Sequence, residues 1–127
     1  MTKPMIGRIM WTDLTVPNAD AIRDFYQAVV GWEASGVPID AEYEDYNMLP
    51  PGGEPAAGIC HARGVNANIP PQWLIYITVA DIDQSIAACT RLGGKVIVPL
   101  REQGGSRFCV IQDPAGAVAA LYQPAAE

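Results

Sequence analysis

The sequence predicts an α+β fold of two tandem βαβββ modules with pseudo-twofold symmetry, whose strands form a curved mixed sheet around a cup. Three observations lead to this prediction. Apolar strand-like segments and two amphipathic helical segments follow the order strand, helix, three strands, and then repeat it. A polar, turn-rich segment at residues 64–71 separates the two halves. A shift of 63 residues, which places Thr15 on Thr78, aligns the halves without a gap.

The first module is predicted to contain a strand, a helix and three more strands, at residues 8–16, 19–30, 32–36, 43–49 and 56–62. Its helix carries large apolar residues at the spacing i, i+3, i+4, i+7, namely Ile22, Phe25, Tyr26 and Val29. Asn18 is the predicted N-cap, and Gly31 is predicted to end the helix in a left-handed conformation. The segment "PPGGEP" at residues 50–55 predicts the turn between the last two strands.

The second module is predicted to repeat these elements at residues 72–79, 81–92, 95–99, 107–112 and 117–123. Asp81 is the predicted cap of its helix, and Gly93 and Gly94 end that helix as Gly31 ends the first. The sequence therefore predicts one helix-to-strand joint that is used twice. We place the two modules at about residues 5–63 and 72–124 of a single domain that spans residues 1–127.

The amino-acid composition argues against several classes of protein. The chain has 127 residues, 50% of them hydrophobic and 17% charged, with a net charge of −6. No cluster of lysine and arginine appears, so nucleic acid and anionic membrane surfaces are not expected as partners. Neither a transmembrane run nor a signal peptide is recognised. Three widely spaced cysteines do not form a disulfide framework, which favours a reduced, cytoplasmic protein.

Alternation along the strands divides the sheet into two predicted faces. One face is small and apolar, as expected against helices, and carries Leu14, Val16, Ala56, Gly58, Cys60, Ile75, Ile77, Val79, Ala119 and Leu121. The other mixes aromatic and polar groups, and carries Trp11, Asp13, Thr15, Ala57, Ile59, His61, Leu74, Tyr76, Thr78, Ala120 and Tyr122. Such a mixed surface is typical of a small-molecule cup, although a face covered by loops or by a second subunit would have the same composition.

Several short motifs occur in a characteristic order. They are "LTVPNADAIRDFYQAVVGW", "YNML", "PPQWLIYITVADID", "LGGKVIVP" and "RFCVIQDPAGAVAAL". Together they resemble the vicinal oxygen chelate superfamily, which holds glyoxalases, bleomycin-resistance proteins and extradiol dioxygenases. The resemblance covers essentially the whole chain, and it implies the fold rather than a particular reaction.

The metal-dependent members of that superfamily hold a divalent ion with four His, Glu or Gln side chains. The resemblance places those positions at Trp11, Ala57, Leu74 and Ala120, and a slip of one residue would offer Thr12, Gly58, Ile75 and Ala119. Neither set can supply the ligands of the family's metal. The sequence therefore predicts that neither a metal nor another cofactor is bound.

The single histidine offers the strongest alternative chemistry. His61 and Asp13 share the predicted cup face, where they could act as a general acid and base or form a metal site with only two protein ligands. An exposed or structurally hydrogen-bonded histidine is the competing interpretation. The predicted ligand-binding set adds aromatic rings and one arginine to this pair, namely Trp11, Tyr76, Arg107 and Tyr122. Packing of the tyrosines and a solvated arginine are the alternatives for those residues.

Three functions remain open at this point. The preferred one is a metal-independent protein that binds a small apolar or aromatic molecule, as the resemblance to bleomycin-resistance proteins implies. The alternative is a lyase, isomerase or dioxygenase that acts on a small oxygenated substrate. A third possibility is an accessory module without chemistry. A homodimer is expected because small members of the superfamily commonly pair to complete cups or cover sheet edges.

Overall fold

The computed structural model describes residues 5–126, which form eight strands, two α-helices and one short 3-10 turn. The strands are β1 (Ile9–Val16), β2 (Glu33–Pro38), β3 (Glu44–Leu49), β4 (Ala57–His61), β5 (Trp73–Thr78), β6 (Lys95–Gln103), β7 (Ser106–Gln112) and β8 (Val118–Gln123). The helices are α1 (Ala19–Val30) and α2 (Ile82–Arg91), and the turn is Gly64–Asn66. The predicted mixed α+β fold and its repeated element order are confirmed. Only β6 differs much from prediction, because it continues four residues beyond 95–99.

The chain divides into two compact units. The N-terminal unit is Trp11–Trp73, and its strands lie in the order β2-β3-β4-β1 with β1 and β4 parallel. The C-terminal unit contains residues 74–126, and its strands lie in the order β5-β8-β7-β6 with β5 and β8 parallel. Residues 5–10 also belong to the C-terminal unit, where the Gly7 N–H donates to the Thr78 carbonyl at 2.8 Å. No helix within residues 5–126 is both long and apolar enough to cross a membrane.

The internal repeat is not free of gaps, which corrects the prediction. In the N-terminal unit Asp13 pairs with Gly58, and in the C-terminal unit Tyr76 pairs with Ala120. The first members of these pairs differ by 63 positions and the second members by 62. When the pair β1 and β4 is aligned with the pair β5 and β8, the turn between β3 and β4 is therefore one residue longer than the turn between β7 and β8. Because side chains alternate between faces, this extra residue turns β4 over relative to the predicted faces.

The core of the N-terminal unit shows the consequence for β4. Ile59 is fully buried and packs with Leu14, Val16 and the first residue of α1, Ala19. Ile59 therefore lies on the helix side of the sheet, although the sequence placed it on the cup face. Gly58 lies on the opposite face, which we call the open face of the unit. The residues of β1 lie on the faces of the sheet that the sequence predicted, whereas each residue of β4 lies on the face opposite to the predicted one.

Both helices end through a left-handed glycine, but the two joints differ by one residue. Gly31 has φ 86° and its N–H donates to the Gln27 carbonyl, which confirms the prediction. After α2 the left-handed residue is Gly93, with φ 97°. Gly94 is needed for another reason, because a Cβ atom there would overlap the Cys89 sulfur and approach the Gln112 carbonyl.

The two helix starts also differ. The Asp81 carboxylate accepts a hydrogen bond from the Gln84 N–H at 3.2 Å and so caps α2 as predicted. Asn18 is the N-cap of α1 as predicted, and its carbonyl accepts a hydrogen bond from the Ile22 N–H at 3.1 Å, but its side chain makes no capping hydrogen bond.

Candidate functional site

The open face of the C-terminal unit is lined by aromatic rings above an apolar floor. Cys109 and Leu121 pack with Ile82 of α2 on the helix side, so the residues next to them in β7 and β8 face the other way. The floor consists of residues that are at most 2% exposed, namely Leu74, Val98, Val110 and Ala120. Half-buried rings stand beside it, contributed by Tyr76, Phe108 and Tyr122. Phe108 and Tyr122 are direct cross-strand neighbours.

Arg101 lies on this same face, and the sequence analysis missed it. It pairs across the sheet with Phe108, and its guanidinium carbon lies 4.5 Å from the centroid of that ring. Its Nε atom is buried from solvent. Burial lowers the pKa of Arg101, while the nearby Tyr76 acts in the opposite direction. A cation over an aromatic ring in a partly dry setting is a strong recognition element for an anion.

Irregularities in β6 set the cross-strand partner of Arg101. The pairing of β6 with β7 shifts between Val96 and Val98, and again between Val98 and Arg101. Each shift reverses the faces of the residues that follow, so the first turns Val98 to the open face and the second restores the original alternation. Arg101 therefore stays on the open face but lies opposite Phe108 rather than Ser106. Pro99 lies within the second irregular stretch, which is tolerated because β6 is the edge strand of its unit's sheet.

Arg107 lies elsewhere, so its predicted position in the cup is wrong. It follows the alternation of Cys109 and Ile111, which pack beneath α2. Its guanidinium donates two hydrogen bonds to the Asp83 carboxylate of α2, at 2.8 and 3.1 Å. This pair raises the pKa of Arg107 and lowers that of Asp83. The arginine therefore braces the surface of the helix rather than facing a ligand.

Trp11 and Asp13 lie together on the open face of the N-terminal unit. The Trp11 indole Nε1–H donates to the Asp13 carboxylate at 2.5 Å, which orients the half-buried ring. The carboxylate lies directly above Gly58, where an added Cβ atom would overlap it. Beside them, burial raises the pKa of the Cys60 thiol, and the carboxylates of Asp13 and Asp45 act in the same direction. A thiol held in its protonated form is a poor nucleophile.

His61 does not join Asp13, which corrects the predicted acid–base pair. Its side chain is 13% exposed and lies at the end of β4, beyond the helix-side residue Ile59. The backbone N–H donates to the Asp45 carboxylate at 2.8 Å, and the ring Nδ1 lies 3.1 Å from the same oxygen. The ring Nε2 lies 3.5 Å from Asp20, at the start of α1. The partners of His61 are thus two acids that the sequence analysis did not select.

Around this histidine the polar groups form a connected set on the helix side. The Tyr46 hydroxyl donates to Asp20 at 2.5 Å, which lowers the pKa of Asp20, and His61 and Arg23 add to that effect. The Arg23 guanidinium lies 4.6 Å from the Tyr46 ring centroid. A polar cavity of about 260 Å³ adjoins this set, lined by Arg23, Asp24, Gln27, Ala34, Gly36, Glu44 and Tyr46. Tyr46 is buried and hydrogen-bonded, so this set stabilises the sheet-to-helix contact.

These residues do not fit the family's metal site. The corrected register replaces Ala57 with Gly58 in the set of Trp11, Leu74 and Ala120, and none of the four side chains contains a donor suited to the metal. Within residues 5–126, no group of three or more His, Cys, Asp or Glu side chains is arranged to hold an ion. The two acids beside His61 approach opposite ring nitrogens, so the three side chains do not converge on a single point.

The other predicted ligand-binding residues keep their positions. Tyr76 and Tyr122 face the open side of the C-terminal unit, as the alternation predicted. Trp11 and Asp13 face the open side of the N-terminal unit. Of the six predicted residues, Trp11, Asp13, Tyr76 and Tyr122 therefore face the open side of their own unit, whereas His61 and Arg107 lie on the helix side.

Comparison with known proteins shows which family and which relatives this chain resembles. Residues 7–121 match the model of the glyoxalase/bleomycin resistance protein/dioxygenase superfamily. The protein named "Putative glyoxylase CFP32" of Mycobacterium tuberculosis is 32% identical over 119 residues, covering 92% of this chain and 46% of that protein. Anthracycline biosynthesis protein DnrV of Streptomyces peucetius is 28% identical over 136 residues, covering 97% of this chain and 49% of DnrV. The chain thus spans about half the length of these relatives.

A solved structure shows the same fold. A variant of methylmalonyl-CoA epimerase from Streptomyces coelicolor, in complex with 2-nitronate-propionyl-CoA, superposes with a TM-score of 0.57. The alignment covers 95% of this chain and 99% of the epimerase, at 21% identity. On the family match over residues 7–121, this chain belongs to the glyoxalase/bleomycin resistance protein/dioxygenase superfamily.

Proposed function

We propose that this protein binds a small planar, apolar or aromatic molecule against the open sheet faces and does so without a metal ion. The observation that carries the proposal is Trp11, which stands where the resemblance places a metal ligand. Its indole is held in place by the hydrogen bond to Asp13, so it forms a fixed aromatic surface. A fixed aromatic surface contributes contact area with little loss of side-chain entropy on binding.

The C-terminal unit supports the same proposal. Its open face combines a dry floor with three rings and one arginine, which is the composition of a small-molecule site. The rings of Phe108 and Tyr122 are neighbours across two strands, so they are held by the sheet rather than by a loop. Sites on rigid elements require little rearrangement on binding.

One relative points to the chemistry of such a ligand. DnrV is named for anthracycline biosynthesis, and anthracyclines are built on planar fused rings. A planar molecule would lie flat on an indole or a phenyl ring, where stacking adds to the burial of apolar area. The proposal therefore favours fused-ring compounds over aliphatic ones.

The enzymatic alternative has less support. A lyase, isomerase or dioxygenase of this superfamily needs a metal or an acid–base pair beside its substrate. Asp13 lies on the open face, whereas His61 lies between Asp45 and Asp20 at the end of β4. The thiol pKa of both Cys60 and Cys109 is raised by burial, which argues against a cysteine nucleophile.

The test is a thermal-shift and fluorescence titration with 2-naphthamide as a neutral planar probe. We expect the probe to raise the melting temperature and to quench part of the tryptophan emission, since it binds the native state. Zn²⁺, Ni²⁺, Mn²⁺ and Fe²⁺ should leave the melting temperature unchanged. About one metal per chain by elemental analysis, lost in His61→Ala, would overturn the proposal.

Tryptophan variants provide the matched control. Trp32 and Trp73 pack with Tyr26 on the helix side, with ring centroids 5.2 to 6.0 Å apart. Quenching by the probe should therefore disappear in Trp11→Phe and persist in Trp32→Phe. Trp11→Ala should also reduce the rise in melting temperature. Equal quenching in Trp11→Phe and in the wild type would place the probe elsewhere.

We also propose that the protein acts as a homodimer in the cytoplasm. Large apolar side chains of α1 are exposed, with Phe25 53%, Val29 63% and Val30 52% accessible. A second copy would remove this surface from water. The three free cysteines agree with a reducing compartment. Light scattering of the wild type at micromolar concentration should give twice the mass of one chain. The variant Val29→Asp should give the mass of one chain. A monomeric wild type would contradict the proposed dimer.

A further inference from the structure

The placement of Arg101 carries an inference about the charge of the ligand. The residue stands on the open face of the C-terminal unit, beside Tyr76 and over the ring of Phe108. Two irregularities in the pairing of β6 place it opposite Phe108. Its Nε atom is withdrawn from water and the residue is half-buried, so the cation is partly desolvated before any ligand arrives.

We propose that Arg101 binds the anionic edge of a planar organic ligand, and that Phe108, Tyr76 and Tyr122 contact the planar body of that ligand. The chemical class is an aromatic carboxylate or a similar pair of negatively charged oxygen atoms on a conjugated ring. This inference rests on the proposed function and adds the sign of the ligand's charge and the residue that recognises it.

Geometry makes an arginine suitable for this role. Its planar guanidinium matches the two oxygen atoms of a carboxylate and can donate to both at once. The 4.5 Å approach to Phe108 holds the cation against a ring by cation–π attraction, which limits the number of rotamers that binding must restrict. Adjacent apolar residues at the floor, Val98 and Val110, exclude water and so strengthen the electrostatic attraction.

The net charge of the protein sharpens the inference. At −6 the chain as a whole repels anions. An anionic ligand would therefore need a local cation that is shielded from the rest of the surface. Arg101 satisfies this condition because it is half-buried, with its Nε atom out of solvent and its guanidinium over the Phe108 ring.

The experiment compares two probes of nearly identical shape, 2-naphthoate and 2-naphthamide, by equilibrium dialysis at pH 7.5 and low salt. The charge-assisted hydrogen bonds to Arg101 should make naphthoate binding at least about tenfold tighter than naphthamide binding. Arg101→Met keeps an apolar side chain of similar length and removes the charge. We expect this variant to lose the tenfold preference and to keep its affinity for naphthamide.

Two further variants separate recognition from general effects. Arg107→Met removes an arginine on the helix side, where it pairs with Asp83, and should leave both affinities unchanged. Arg101→Lys keeps the charge but loses the planar fork, so it should recover part of the preference for naphthoate. Circular dichroism melting of each variant verifies that the fold is retained.

The outcomes distinguish this inference from the proposed function. If wild-type protein binds both probes with equal affinity, or if Arg101→Met keeps the preference, the inference is wrong and the proposed function stands. If wild-type protein binds neither probe, nor a neutral three-ring compound such as anthracene-2-carboxamide, the proposed function is wrong as well. A preference lost equally in Arg107→Met and Arg101→Met would indicate a general effect of charge and would reject the role of Arg101.

Discussion

Gly58→Ala tests how the open face of the N-terminal unit is built. An added Cβ atom at this position would overlap a carboxylate oxygen of Asp13 and come within 3.5 Å of the Trp11 indole nitrogen. Gly58 has an ordinary strand conformation, so the backbone accepts alanine without strain. The Asp13 side chain must therefore move, and its hydrogen bond with Trp11 must break.

The expected magnitude follows from two opposing terms. A hydrogen bond to a charged group contributes about 1.5 to 3 kcal/mol, and the half-buried position of Trp11 favours the lower end. Replacing glycine by alanine stabilises by about 0.4 to 1 kcal/mol, because it restricts the unfolded chain. We therefore expect a net loss of about 1 kcal/mol, or a fall of about 4 °C in melting temperature for a chain of this size.

Gly36→Ala is the matched control. Its added Cβ atom would also meet a carboxylate, that of Glu44, but Gly36 and Glu44 are both exposed and the Glu44 side chain can swing into solvent. This variant should gain the unfolded-state term alone. Urea denaturation should therefore separate the two alanine variants by about 1.5 kcal/mol, with Gly58→Ala the less stable.

A double-mutant cycle decides whether the reasoning is correct. In a Trp11→Phe background the hydrogen bond to Asp13 is already absent, so Gly58→Ala should be neutral or slightly stabilising. The same loss of stability in both backgrounds would show that the effect of Gly58→Ala arises elsewhere, and would refute the account. Tryptophan emission of Gly58→Ala should also shift, since the indole loses its fixed partner.

Three other measurements test the description of the chain. Leu74→Ala, at a fully buried floor position, should cost about 2 to 5 kcal/mol in chemical denaturation, whereas Leu92→Ala at a 69% exposed position should change stability by less than about 0.5 kcal/mol. Burial raises the pKa of Cys109 to about 11, so iodoacetamide at pH 8 should label it in urea but hardly in the native protein, and equal labelling in both states would contradict its burial. Arg107 lowers the pKa of Asp83, so this pair stabilises the fold above the ordinary aspartate pKa and loses that contribution as the pH falls through the lowered value. Between pH 5 and pH 2 the wild type should therefore lose more stability than Asp83→Asn, and parallel pH profiles would show that the pair contributes nothing.

The amino-acid sequence alone determined the order of the elements and most of their bounds. Helical spacing predicted α1 over residues 19–30, as the structure has it, because apolar periodicity and a terminal glycine are local signals. Alternation also placed Trp11 and Asp13 on one face of β1, and Tyr76 on the corresponding face of β5. The lack of metal donors at Trp11 and Leu74 was likewise visible from residue types.

Only the tertiary structure decided which side chains meet. One additional residue before β4 separates His61 from Asp13 and places it between Asp45 and Asp20. β6 continues past its predicted end, and two irregularities in its pairing place Arg101 opposite Phe108, while Arg107 pairs with a helix. For His61 the physical reason is the two-residue period of a strand, since a single inserted residue reverses every side chain that follows. The strand pairing that reveals such an insertion involves another strand, so the alternation of residues within one segment does not show it.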